Sequence, residues 1–388
     1  MGVRRLVSVV AAASLAVTLP LAGPAVAAED PPSLPSPSGS CVGASAVLYT
    51  AIPWATARVF PMTAWSLGRG EGVTIAIVDS GVSRTASGLT GAVAAGSDVV
   101  AGGRADSDCL GRGTALAAIA AGRPVTSTGV LGIAPAAGIL PIRIIDEQRR
   151  MTAGSLAAGV REASQRGADV ILVGTGVTEN AGVLRSAVRT AVANGAVVVA
   201  PVNDSDDGVA GAPPPKWYPA AYPEVLAVGG IDQSGTRTEA VPAGDVDLLA
   251  PSVGAVAPGP VGVNHYSVGG SAVAAAHVAG AVALVRGYHP ALTPADVVDR
   301  LLATAEPSPV PGEGMPGVVD PYAAVSTLAP QAATERVDVA ARPVVLPPVT
   351  PPDPAVARSA LAALGIVAIV AVAGILLWIG RTRRRVSA

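Results

Sequence analysis

The chain is predicted to be an α/β protein, a parallel sheet with helices on both faces. Three observations lead there. Short β-branched runs alternate with alanine-rich helical stretches, the pattern of strands joined by crossover helices. The strand candidates are apolar along their whole length, which suits a sheet covered on both sides. With 388 residues, 50% hydrophobic and 14% charged, the chain can fill one large core and still carry appendages.

In order, strands are expected over 73–78, 138–144, 169–173, 196–200 and 225–228. Each is a short Val/Ile/Leu/Ala run. Helices are expected over 112–121, 153–166, 181–193 and 272–288, where alanine dominates. A last helix opens at Thr293-Pro294-Ala295-Asp296, with an N-cap residue and a proline in the first turn. No internal repeat of solenoid period is present.

Both ends point to a membrane. Arg4 and Arg5 precede an apolar run from Leu6 to Leu21, and Ala25-Val26-Ala27 offers small residues for cleavage. Residues 1–27 read as a signal peptide, with an uncleaved anchor as the alternative. Ala360–Gly380 carries no charge; as a helix it spans about 31 Å, near the ~30 Å of a bilayer core. Trp378 lies near its end, and Arg381, Arg383, Arg384 and Arg385 follow. A transmembrane helix over 359–380 is expected, with tail 381–388 cytoplasmic and the body outside the cytoplasm. A buried core helix is the competing reading. Residues 28–49 are a Pro/Ser-rich extension, 50–328 the folded body, and 329–358 a proline-rich spacer.

The net charge of -2 hides an asymmetry. Setting aside Arg4, Arg5 and the four tail arginines leaves 20 basic residues against 28 acidic ones, so the exported body is near -8. That argues against nucleic acid as a partner. Lys216 is the single lysine, which with abundant Ala, Gly and Pro suggests a high-GC bacterial source. Cys41 and Cys109 are the two cysteines; in an exported chain they read as a disulfide, with two free thiols as the alternative. Nothing calls for a cofactor or a metal. His265, His277 and His289 lie far from the cysteines in sequence. Asp204, Asp206 and Asp207 read as a solvated acidic loop, or else a calcium site.

Three segments carry the chemistry. Val73-Thr74-Ile75-Ala76-Ile77-Val78-Asp79-Ser80-Gly81 is a strand ending in a carboxylate. Gly111-Arg112-Gly113-Thr114 opens a helix, and Gly270-Ser271-Ala272-Val273-Ala274-Ala275-Ala276-His277-Val278-Ala279-Gly280 opens another. These resemble the active-site segments of subtilisin-like serine proteases (subtilases). Gly132-Ile133-Ala134-Pro135 and Val197-Val198-Val199-Ala200-Pro201-Val202-Asn203 resemble further subtilase segments. The likeness runs over about 50–328. The order of signal peptide, extension, body, proline-rich linker and membrane helix most resembles the mycosins. These are membrane-anchored proteases associated with type VII secretion in actinobacteria.

The resemblance implies a subtilisin-like fold and assigns positions. Asp79 stands at the triad aspartate, Arg112 at the histidine, Ala272 at the serine, and Asn203 at the oxyanion asparagine. Alanine offers no nucleophile, and arginine stays protonated and cannot act as a base. Arg112 is expected either to pair with Asp79 or to bend out to solvent. Ser271, one residue early, reads as a helix cap or as a rearranged nucleophile, with His265 on a preceding loop the only conceivable base. Val173-Gly174-Thr175-Gly176 departs from the family's substrate-pairing Ser-Leu-Gly stretch. Three functions follow: a pseudoprotease acting as a structural or binding component of the type VII secretion membrane complex, an active endopeptidase using Ser271, or a peptide-binding module unrelated to secretion. A peptide ligand is compatible with all three.

Overall fold

A computed structural model describes residues 30–36, 39–203, 215–308 and 315–328. The expected signal peptide, spacer, membrane helix, basic tail and acidic loop at Asp204–Asp207 lie outside the described residues. The strands are β1 (Thr74–Asp79), β2 (Ser97–Asp98), β3 (Gly138–Arg143), β4 (Val170–Val173), β5 (Val197–Pro201), β6 (Leu226–Ile231), β7 (Leu248–Pro251), β8 (Ala255–Pro258), β9 (His265–Val268) and β10 (Gly317–Val318). The helices are α1 (Trp54–Val59), α2 (Arg112–Ala121), α3 (Ala153–Gln165), α4 (Gly182–Ala193), α5 (Ser271–Tyr288), α6 (Pro294–Thr304) and α7 (Pro321–Ser326).

Eight strands form one sheet in the order β10-β7-β6-β5-β4-β1-β3-β2, and every pairing is parallel. Alternation along β1 shows how both faces are buried. Ile75 and Ile77 pack with α2 and α5, while Ala76 and Val78 pack with α3 and α4. The chain leaves β1 through α2 to β3 on one side, then returns to β4 on the other. The carboxyl end of β1 is therefore a switch point, the place where open parallel sheets bind ligands.

The expected alternation of strands and helices is present. Helix α6 opens with the anticipated cap: the Thr293 hydroxyl accepts from the Asp296 N–H at 3.2 Å, and the Asp296 carboxylate accepts from the Thr293 N–H at 3.1 Å. Helix α5 is long and apolar enough to cross a membrane, but 78% of it is buried inside the body, as a core helix. His277 sits within it, and burial pushes its imidazole down to about 4.

A feature without a sequence signal is the antiparallel hairpin β8–β9. The N-terminal extension runs along it. The Leu34 N–H donates to the Ser267 carbonyl and the Ser267 N–H to the Pro32 carbonyl, both at 2.9 Å. Further along, the His265 N–H donates to the Val47 carbonyl at 2.9 Å. Cys41 and Cys109 form a disulfide, S–S 2.08 Å, which ties the extension to the loop just before α2. Beside it the Val42 N–H donates to the Cys109 carbonyl at 2.8 Å. The cross-link closes a span of 68 residues, for which chain entropy gives about 4 kcal/mol. Replacing Cys41 and Cys109 together by Ser should lower the unfolding free energy by about that amount in denaturant titration. An unchanged midpoint would mean that the backbone pairing alone holds the extension.

Candidate active site and cleft

The site begins with a charge the sheet buries. Asp79 is the last residue of β1 and is fully buried. Its Oδ1 accepts from the Ser80 N–H at 2.8 Å. Its Oδ2 faces the Arg112 guanidinium, with Nε 3.2 Å away. Arg112 is the first residue of α2, and its Nη2 donates to the Gly174 carbonyl at the end of β4. The arginine thus bends inward and joins β1 to β4 across the switch point. An isolated ionised carboxylate at this depth would be prohibitively costly, and the guanidinium offsets that cost.

Gly174 is a consequence of the pair. A Cβ there would lie 2.3 Å from Asp79 Oδ2 and 2.5 Å from Leu116 Cδ1. Only glycine leaves room for the carboxylate beside Leu116. In the sequence this position registers only as a departure from a substrate-pairing motif.

Asp108 holds the head of α2. Its Oδ1 accepts from Ser80 Oγ (2.9 Å) and from the N–H groups of Leu110 (3.1 Å) and Gly111 (2.9 Å). Its Oδ2 accepts from the Thr114 N–H (2.9 Å) and hydroxyl (2.7 Å). Ser80 Oγ in turn accepts from the Gly113 N–H at 3.0 Å. Arg112 is aimed at Asp79 by this clamp between the β1 loop and the helix start. Burial pushes the Asp108 carboxyl up to about 6, against the pull of its donors and with a further push from Asp79. Sequence reading passed over Asp108, although an Asp three residues before a helix-opening Gly111 is a recognisable capping signal.

An open cleft of about 600 Å³ lies above, lined by Arg112, Asn203, Ser271, Ala272 and the extension at Ser33–Ser36. Ala272, expected at the nucleophile position, lines it and offers only a methyl group. Ser271 does not cap α5. The N-cap is Gly270, and the Ser271 hydroxyl donates to Glu239 Oε1 at 2.6 Å. Ser271 is the first residue of the helix, one past the cap position, and its O–H is directed at the carboxylate. No histidine lines the cleft. His265 is on β9 rather than a loop, is buried, and its Nδ1 accepts from the Tyr49 N–H at 3.1 Å. Its role is to hold the extension. His289 Nε2 contacts the Val325 carbonyl at 2.9 Å.

The carboxyl-end site on an eight-stranded parallel sheet, with the three motif segments at β1, α2 and α5, invites comparison with known proteins. The Subtilase family profile matches residues 70–335. The chain belongs to the subtilase family. Among its relatives, subtilisin DY of Bacillus licheniformis is 33% identical over 238 residues, covering 61% of this chain and 85% of that protein. Mycosin-1 of Mycolicibacterium smegmatis is 32% identical, covering 76% of this chain and 78% of that one. The crystal structure of MycP1 from the ESX-1 type VII secretion system superposes with a TM-score of 0.66 at 28% identity, covering 78% and 94% of the two chains. MycP3 protease from the ESX-3 system gives 0.66 at 26% identity, covering 77% and 97%. This subtilase is thus mycosin-like, related to proteases of type VII secretion.

Two measurements probe the site. Arg112→Ala strands a buried charge and should cost this subtilase about 3 kcal/mol of unfolding free energy. Arg112→Met together with Asp79→Asn should recover much of that loss; equal losses in both would deny the pair its structural weight. The raised Asp108 pKa sets a sign. Its favourable contribution is full below about pH 4, the range of an ordinary aspartate, and is lost as pH rises through about 6. The stability of the wild type relative to Asp108→Asn should therefore fall between pH 4 and pH 7. A difference that stays flat would contradict this.

Proposed function

We propose that this subtilase is a catalytically silent, mycosin-like pseudoprotease, a structural or binding component of a type VII secretion membrane complex. The reading rests on one observation. The group beside Asp79 is the Arg112 guanidinium, a permanent cation where peptide hydrolysis needs a proton acceptor. Ala272 on the cleft wall supplies no oxygen to attack a carbonyl. In a serine protease, loss of the serine or histidine alone costs about 10⁶ in kcat. Here both positions are substituted, and the retained Asn203 could contribute only oxyanion stabilisation.

The partner assignment draws on MycP1, described as an essential component of the type VII (ESX-1) secretion system. The rest comes from the sequence: export through residues 1–27, extension 28–49 and body 50–328 outside the cytoplasm, spacer 329–358, anchor 359–380 and cytoplasmic tail 381–388.

A second reading has one observation in its favour. Ser271 Oγ touches a carboxylate, Glu239, at 2.6 Å, so a hydroxyl with a proton acceptor does exist in the cleft. A fluorophosphonate label on the full chain separates the two: no covalent adduct is expected, and an adduct at Ser271 would establish an active hydrolase instead. In the same membranes, the chain should co-purify with type VII secretion components after detergent extraction. A C-terminal reporter should be active only on the cytoplasmic side.

A further inference from the structure

Four carboxylates are buried among the described residues: Asp79, Asp98, Asp108 and Glu239. Asp79 has Arg112, and Asp98 has Arg143 Nη1 at 2.7 Å. Asp108 takes five donors at the head of α2. Glu239 differs from all three. Like Asp108 it has no cationic side chain within 4.0 Å among the described residues, but it has fewer donors and it alone of the four lines the cleft.

Its surroundings are built, not incidental. Glu239 is 9% exposed. Oε1 accepts from Ser271 Oγ at 2.6 Å and Thr238 Oγ1 at 2.7 Å, and Oε2 from the Gly230 N–H at 2.7 Å. Thr238 Oγ1 and Ser252 Oγ are 2.8 Å apart. A Cβ on Gly230 would lie 2.3 Å from Ser252 Oγ and 2.5 Å from Thr238 Oγ1, so the cluster has no slack. The donors satisfy the carboxylate's oxygens but leave its charge without a counter-ion. The hydroxyls that point at Glu239 keep their own lone pairs, so the wall offers several oxygen acceptors around one negative charge. That is the complement of an ammonium group, a compact cation with three donors.

We propose that the cleft binds an extended peptide segment carrying a lysine side chain, with the ammonium seated on Glu239 among Thr238, Ser252 and Ser271. Two further observations fit a peptide. The neighbouring wall already accepts extended backbone, since residues 32–34 pair with Ser267 through two hydrogen bonds of 2.9 Å. The exported body, near -8, also draws basic segments toward it. The inference deepens the pseudoprotease reading and rests on it, because it assigns the cleft to holding a peptide rather than cutting it.

The test uses the full chain in detergent and three fluorescent peptides, Ala-Ala-X-Ala-Ala capped at both ends, with X as lysine, norleucine or Nε-acetyl-lysine. The lysine peptide should bind at least ten-fold more tightly than the other two. Glu239→Gln keeps the shape and a hydrogen-bonding oxygen, and it should abolish the preference while leaving the thermal transition near that of the wild type. The acetyl-lysine comparison on unmodified protein stands even if that variant misfolds. Equal affinity for all three peptides, no binding of the lysine peptide at millimolar concentration, or a preference intact in Glu239→Gln would overturn the proposal. Cleavage of a bound peptide would sink the pseudoprotease reading instead, and the lysine preference would still be read from the three affinities.

Discussion

The ion pair between Asp79 and Arg112 is the constraint around which the site is arranged. A parallel sheet covered on both faces leaves little water at the end of its central strand, and β1 places a carboxylate there. Such a group must be neutralised, hydrogen-bonded or paired. In a working triad the imidazole does this and also carries the proton. Here a guanidinium does the first task and cannot do the second. Asp108 and Ser80 fix the start of α2 so that the guanidinium arrives in place, and Gly174 leaves room for the carboxylate.

Above the ion pair the cleft is open, the extension forms part of its rim, and the disulfide anchors that rim three residues before Arg112. The polar groups that remain are sorted by charge. One wall carries the Arg112 cation, already engaged with Asp79 and the Gly174 carbonyl. Another carries Glu239, engaged only with neutral donors. Charges held apart on two walls of one cleft are an arrangement that favours electrostatic discrimination.

Much of the fold was legible because its strands are apolar runs between alanine-rich helices, which implies a parallel sheet covered on both faces, although not the order of its strands. The short strands β2 and β10 and the hairpin β8–β9 were not, since two- to four-residue strands carry too little periodicity to separate them from loops. In the site, Asp79 and Arg112 stood out by the segments around them. Glu239 did not, because a single Glu in a loop between two strands reads as a solvated turn; only tertiary packing buries it. Ser271 was misjudged as a cap for the same reason: its partner lies 32 residues away in sequence. His265 was placed on a loop because the strand that contains it is recognisable only once the extension is seen bonded to it.

Gly174 bears on which substitutions this corner of the molecule can take. Any larger residue there collides with the Asp79 carboxylate while Arg112 holds that carboxylate in its present rotamer. A histidine at 112 would be shorter than the arginine and would leave the carbonyl of residue 174 without its donor. Residues 112 and 174 are therefore coupled through the carboxylate and the carbonyl between them. A change at either position is thus felt at the other through the one carboxylate that both surround.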